Sequence, residues 1–202
     1  AYLKGCRQNN VLSCVKHFPG DGVEERDQHL VLGINSLSCE EWDASFGKVY
    51  QALIDDGIES VMAGHIALPA YSRKYHPELT DDKIRPATLA PEIIRGLLRE
   101  KLGFQGIVVT DASHMGGMLS AMPRSEQVPG AIAAGCDMFL FFHDPEEDFQ
   151  YMLDGYRKGI ITDERLNEAL ERILGMKAKL GLHKKRMPDV MDEGQVLGCE
   201  EH

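Results

Sequence analysis

Four short apolar runs alternate along this chain with segments of helical pattern, and this alternation limits the fold more than any other feature. The runs lie at residues 11–18, 60–66, 106–110 and 138–142. Their length and their β-branched and aromatic content are typical of buried parallel strands. Helices are predicted at residues 38–56, 90–101, 125–134 and 163–180. Such an order predicts an α/β fold with parallel strands and right-handed crossovers.

The first and last of these helices carry clear start signals and apolar faces. Ser38 and Thr162 are the predicted caps. Helical spacing predicts that the first helix buries Trp42, Phe46, Val49 and Leu53. The same spacing predicts that the last helix buries Leu166, Ala169, Leu170, Ile173 and Leu174.

Four strand–helix units leave two architectures open, an open doubly wound sheet and half of a (β/α)8 barrel. The chain has 202 residues, whereas a complete barrel of this type takes about 250. Residues 183–202 show no periodicity. We therefore expect a domain at residues 1–182, followed by an irregular tail at 183–202.

Composition excludes several classes of function. The formal net charge is −10, and no basic stripe offsets it, which argues against nucleic acid and anionic membranes as partners. No apolar run reaches the length of a membrane span. No glycine-rich nucleotide motif follows a strand, so no cofactor is predicted.

The five cysteines and the start of the chain bear on its compartment. The cysteines are odd in number and lack a CxxC pair, so we expect reduced thiols, several of them buried in strands, and neither disulfides nor a zinc site. No secretory signal is present, which favours the cytoplasm. Ala1 begins in what looks like the tail of a helix, so we expect an upstream segment, and the compartment stays open.

Polar residues follow each apolar run, where the carboxyl ends of parallel strands should meet. These residues are Lys16 and His17, His65, Asp111, and the pair His143 and Asp144. Reactive groups of α/β folds collect at this edge. Helix capping or local pairing explains any one of them equally well, but the four positions together favour a site.

Residues 16–29, KHFPGDGVEERDQH, form the most informative segment. They resemble the K-H-F-P-G-x-G-x4-D-x-H loop of glycoside hydrolase family 3 β-N-acetylglucosaminidases, position for position from Lys16 to Asp27 and His29. The resemblance continues through PATLAP at 86–91, LGFQGIVVTD at 102–111 and AGCDM at 134–138, and it covers about residues 1–182. One position departs from the commonest family form, which has histidine where this chain has Asp21.

The resemblance implies that the chain is the C-terminal half of a TIM-type barrel, units five to eight. It implies a retaining exo-glycosidase that releases β-linked N-acetylglucosamine, or related β-glycosides, from oligosaccharides. Asp111 would be the nucleophile that forms the glycosyl–enzyme ester. His29, oriented by Asp27, would be the general acid/base. The substrate-binding residues would be Lys16, His17, His65, His114 and Met115.

The loop at residues 21–29 carries the predicted acid/base pair, and we call it the dyad loop. Its run of polar residues offers little apolar area for packing, so we expect it to be mobile. The loop also gathers His17, Asp21, Asp27 and His29, but their spacing matches no known metal site, and no metal is predicted.

Two other functions stay open beside hydrolysis. Phosphorolysis is one, since an imidazole acid/base does not repel an incoming phosphate. A non-catalytic half-barrel module for assembly or carbohydrate binding is the other. A half barrel exposes strand edges and apolar surface, so we expect it to pair with an upstream half or with a second copy, and by itself to lack activity.

Overall fold

Four strands form one parallel sheet whose spatial order follows the sequence. The structure is a computed structural model that describes residues 1–184. The strands are β1 (Cys14–Phe18), β2 (Gly33–Ile34), β3 (Ser60–Ala63), β4 (Ile66–Ala67), β5 (Ile107–Ala112) and β6 (Met138–Leu140). The main sheet has the order β1-β3-β5-β6, and β2 and β4 pair separately, also in parallel.

Helices follow each strand of the main sheet and pack on its outer side. The α-helices are α1 (Tyr2–Gln8), α2 (Cys39–Trp42), α3 (Lys48–Asp55), α4 (Pro69–Tyr75), α5 (Gly116–Leu119), α6 (Arg124–Ala134), α7 (Pro145–Arg157) and α8 (Asp163–Lys179). Two π-helical segments are Asp43–Gly47 and Glu92–Lys101, and short 3-10 turns are Asp81–Lys83, Ala87–Leu89 and Leu182–Lys184.

The predicted architecture is confirmed. All four predicted strands are present, parallel and in sequential order, as four βα units of a barrel require and as a reversed doubly wound order would not give. Ser38 and Thr162 cap their helices through their side chains, and Ser38 forms a reciprocal capping box with Glu41. Most of the predicted tail, residues 185–202, lies outside the described residues.

Several elements differ from the prediction. The small β2–β4 sheet, α4 and α7 were not predicted. The strands are also shorter than their apolar runs. Residues 11–13 lie before the start of β1, and residues 141–142 lie after the end of β6. β5 extends through Asp111 to Ala112, so the predicted nucleophile lies in the strand rather than after it.

The main core lies between the sheet and the helices that follow β1 and β3. Its largest fully buried side chains include Phe18, Trp42 and Tyr71, and the Trp42 ring contacts the other two edge to face. A second core cluster lies between α6, α7 and β6 around Met118 and Val128. These two clusters hold the strands from their outer face and leave the carboxyl ends free.

The predicted helix faces were partly wrong. Val49 is 58% exposed, whereas Tyr50 is buried. The π-helical turn at Asp43–Gly47 adds one residue to the repeat, which moves the buried position from 49 to 50. On α8, Leu170 and Leu174 are exposed, because the described residues provide nothing that covers this outer edge.

The cysteines also differ from the prediction that several are buried in strands. Cys136 is buried and precedes β6, whereas Cys14 lies in β1 and is exposed. All four described cysteines are free thiols, and Cys199 lies outside the described residues.

A buried carboxylate joins the amino ends of two strands to the outer helices. The Asp137 side chain is fully buried; it accepts hydrogen bonds from the Val108 amide at 2.9 Å and from Arg99 at 2.8 Å. Arg165, itself buried, and Arg172 also pair with it. One carboxylate thus fixes β5, β6 and α8 relative to one another.

Replacing this carboxylate should destabilise the fold strongly. Asp137→Ala leaves buried Arg165 without its partner, and we expect the free energy of unfolding to fall by about 3–5 kcal/mol. Urea denaturation of the intact protein measures this loss. Glu171→Ala is the control, an exposed change on α8, the helix that carries Arg165. It should change the free energy of unfolding by no more than about 0.5 kcal/mol. Equal effects of the two changes would contradict the role given to Asp137.

Candidate active site

Asp111 lies near the carboxyl end of β5, and its side chain is 13% exposed. Its Oδ1 accepts a hydrogen bond from the Ala112 amide at 2.8 Å. Its Oδ2 lies 3.5 Å from Nε2 of His17, which reaches across from β1. The carboxylate is therefore oriented by its own strand through Oδ1, while Oδ2 faces His17.

His17 stands between two carboxylates. Its Nε2 faces Asp111, and its Nδ1 lies 3.3 Å from Oδ2 of Asp21. Lys16, the residue before it in β1, is exposed. The position at which this chain departs from the family pattern therefore contacts a histidine of the site directly.

The turn after β1 is fixed by the neighbouring elements. The indole of buried Trp42 donates to the Pro19 carbonyl at 2.7 Å, and the Asn35 side chain donates to the Gly20 carbonyl at 3.1 Å. Gly20 has φ +133°, and a Cβ there would lie 2.4 Å from the Phe46 ring. Only glycine fits both the backbone angle and the space.

Asp27 and His29 form the predicted pair. Oδ1 of Asp27 lies 2.6 Å from Nδ1 of His29 and accepts the His29 amide at 2.9 Å. The amide and the ring of His29 together hold the pKa of Asp27 below its usual value. A carboxylate partner on Nδ1 fixes the tautomer and leaves Nε2 as the reactive nitrogen.

The dyad loop is not held as loosely as its polar composition suggested. The amides of Gly116 and Gly117, just beyond β5, donate to the carbonyls of His29 at 2.7 Å and Gln28 at 3.1 Å. A Cβ on Gly116 would lie 2.2 Å from the Leu30 carbonyl oxygen. The Gln28 side chain is buried. Backbone hydrogen bonds and this one side chain replace the apolar packing that the sequence lacks.

His65 is a fully buried residue rather than an exposed group at the site's mouth. Its Nε2 lies 2.9 Å from the Ala112 carbonyl, which can only accept, so Nε2 carries the proton. Its Nδ1 lies 2.8 Å from the Thr88 hydroxyl. Burial lowers the pKa of His65, so the ring stays neutral and accepts from Thr88. Neither nitrogen is left for a sugar, which corrects its predicted role.

His114 and Met115 differ in what they offer a substrate. His114 is exposed and stacks on Phe141 with ring centroids 6.5 Å apart. Met115 is buried and precedes α5, so its side chain is not exposed to a substrate. Of the two, the structure leaves only His114 accessible.

A buried ion pair supports the other side of the site and was not predicted. Arg124 binds the fully buried Asp148 through two nitrogens, and it also donates to the Ser113 hydroxyl at 3.1 Å. Burial alone would raise the pKa of Asp148, but Arg124 and the His143 amide hold it below its usual value. No local sequence signal marks this pair, since its members lie 24 residues apart.

The last two predicted positions, after β6, have structural roles. Oδ1 of Asp144 accepts the amides of Glu146 and Glu147 and so caps α7. His143 is exposed, and its amide donates to Asp148. His17, His65, Asp111 and His143 lie at the carboxyl end of the sheet, whereas Lys16 lies in the middle of β1.

Within residues 1–184, no group of three histidine, cysteine or acidic side chains could hold a metal ion. In the same range, no helix is both long enough and apolar enough to cross a membrane.

Comparison with known proteins gives three close similarities. The chain is 50% identical over its full length to a β-N-acetylglucosaminidase/β-glucosidase of Cellulomonas fimi and covers 36% of that protein. It superposes on a β-glucoside phosphorylase bound to 2FGlc with a TM-score of 0.90 and 46% identity, covering 92% of this chain and 33% of the other. A family 3 β-N-acetylglucosaminidase from Paenibacillus sp. str. FPU-7 gives 0.84 and 29%, covering 98% and 36%.

The chain thus spans about a third of the length of each of these relatives. One of the three, the Paenibacillus enzyme, is described as a member of glycoside hydrolase family 3. The model of the glycosyl hydrolase family 3 N-terminal domain matches residues 1–176. The chain therefore belongs to glycosyl hydrolase family 3, through that domain.

Proposed function

We propose that this chain carries the nucleophile and the acid/base of a retaining exo-glycosidase that releases β-linked N-acetylglucosamine, or related β-glycosides, from oligosaccharides. One observation carries the proposal. The loop that bears Asp27 and His29 is hydrogen-bonded to Gly116 and Gly117, directly after the strand that presents Asp111. The carboxylate of Asp111 and the imidazole of His29 are therefore carried by adjoining segments at the carboxyl end of the sheet, and these are the two kinds of group that double displacement uses.

In the first step, Oδ2 of Asp111 attacks the anomeric carbon while Nε2–H of His29 protonates the departing oxygen. The C–O bond to the aglycone breaks, and an ester to Asp111 forms. Asp27 accepts the Nδ1–H throughout and stabilises the ring in its charged form. Lys16 and His17 bind hydroxyls of the sugar beside the nucleophile.

In the second step, the neutral His29 takes a proton from water, and the oxygen attacks the anomeric carbon. The ester bond breaks, the carboxylate of Asp111 is regenerated, and the sugar leaves with its original configuration. One imidazole thus gives a proton in the first step and takes one back in the second.

The nucleophile can be tested by covalent trapping. In the intact protein, Asp111→Asn should lower turnover by at least about 10³-fold, because an amide cannot form the ester. A 2-fluoro sugar with an activated leaving group should label wild-type Asp111, identified by peptide mass spectrometry. The Asp111→Asn protein, shown to be folded by circular dichroism, is the unlabelled control. A label on another carboxylate would overturn the assignment.

The acid/base can be tested with aryl glycosides of graded leaving-group pKa. His29→Ala should slow substrates with poor leaving groups by about 10²- to 10⁴-fold, because these need protonation. Dinitrophenyl glycosides should change little, since they leave without a proton. Glu25→Ala, an exposed change in the same loop, should leave the whole series unchanged. A uniform loss across the series would mean that His29 only binds sugar.

Phosphorolysis is the second candidate, and the chemistry of the dyad favours it. The acid/base is an imidazole, so it does not repel a phosphate dianion as a carboxylate would. The similarity to a β-glucoside phosphorylase points the same way.

Product analysis separates the two reactions. If phosphate is the acceptor, adding inorganic phosphate should raise turnover and shift the product from free sugar to sugar 1-phosphate. Nuclear magnetic resonance of the anomeric signal identifies which product forms. An equal concentration of sulfate controls for ionic strength, and free sugar alone in both buffers would leave hydrolysis as the reaction.

We also propose that a further part of the protein, or a second copy, covers the outer edge of the sheet. An apolar groove between β6, α7 and α8 exposes Phe142, Phe149 and Leu170. Exposed apolar surface of this kind is typical of an interface. The relatives are about three times longer than this chain, which leaves ample chain for a covering half.

A further inference from the structure

Gln28, the middle residue of the predicted D-x-H motif, is buried although both of its neighbours are exposed. Its Nε2 donates to Oδ2 of Asp21 at 3.0 Å, and its Oε1 accepts the His65 amide at 3.2 Å. Its backbone carbonyl accepts the Gly117 amide at 3.1 Å. Three of its polar groups are therefore engaged, on three different segments of the chain.

The contacts of Gln28 lead toward the nucleophile by two routes. On one side, Asp21 lies 3.3 Å from Nδ1 of His17, whose Nε2 lies 3.5 Å from Asp111. On the other side, the Nε2–H of His65 donates to the carbonyl of residue 112 at 2.9 Å. One route thus ends at the predicted nucleophile, and the other ends at the residue that follows it in β5.

Gln28 packs closely against two glycines of neighbouring segments, Gly64 and Gly117. A Cβ added to Gly117 would lie 2.9 Å from the Gln28 carbonyl oxygen and 3.0 Å from the Cβ of His65. A Cβ on Gly64 would lie 3.4 Å from Oε1 of Gln28. Three hydrogen bonds, together with this close packing, restrain the residue.

We propose that Gln28 is a positioning residue that sets the place of His29 relative to Asp111. This inference rests on the function proposed above. Because Asp27 and His29 flank it directly, fixing Gln28 to the end of β3 and to the turn after β5 restrains the acid/base pair as well. The dyad is then preorganised before substrate binds, and a displacement of about 1 Å would cost on the order of 10²-fold in rate.

The first experiment compares Gln28→Ala with His29→Ala in the intact protein, again on aryl glycosides of graded leaving-group pKa. Gln28→Ala should lower kcat for the poorest leaving groups by about 10- to 100-fold, because the acid is displaced. Dinitrophenyl glycosides should keep nearly wild-type rates. Glu25→Ala in the same loop is the matched control, and thermal unfolding of each variant reports any loss of fold.

A reciprocal exchange of amide and carboxylate gives a second, independent test. Gln28→Glu places two carboxylates in contact and should impair poor leaving groups at least as much as Gln28→Ala. Combining Gln28→Glu with Asp21→Asn restores one donor and one acceptor between the two side chains. The double variant should therefore be about as active as Asp21→Asn alone, since any effect on His17 is common to both.

The outcomes separate this inference from the proposed function. If His29→Ala loses rate equally on all substrates, the dyad is not the acid/base, and the proposed function fails. If His29→Ala shows the expected dependence but Gln28→Ala shows either no loss or a uniform loss, the function stands and Gln28 is only structural. A double variant clearly less active than Asp21→Asn alone would also overturn the inference.

Discussion

The parallel register of the main sheet is the constraint on which the site depends. Phe18 pairs with Ala63, and Ala63 pairs with Thr110, so the residues just beyond these positions share one edge. A shift of one residue would turn every side chain of a strand to the opposite face. Asp111 would then point to the opposite face of the sheet, away from His17.

The two ends of this sheet carry different electrostatic arrangements. At the amino ends, Asp137 is buried among guanidinium groups and neutralised by them, which suits a permanent structural role. At the carboxyl ends, His17, Asp111 and His29 are partly or largely accessible. Groups in contact with solvent can exchange protons with it. The buried Asp137 cluster has a structural role that requires no proton exchange.

Much of the architecture could be predicted because it depends on local patterns. Strand order, the Ser38 cap and the place of Asp111 follow from apolar runs, capping residues and strand ends. The rest depends on contacts between distant segments. The burial of His65 and Gln28 results from packing across the loop, β3 and β5, and a π-helical turn shifted the helix face at Tyr50. No spacing in the sequence encodes these features.

The two adjacent glycines after β5 bring the turn that follows this strand into direct backbone contact with the dyad loop, which is far away in sequence. Gly116 and Gly117 leave no side chain between the backbone of the dyad loop and the turn beyond Asp111. A loop of different length or course could not be exchanged into this scaffold unless this turn were rebuilt with it. The loop and the turn therefore form one structural unit, because a change in the backbone of either requires a matching change in the other.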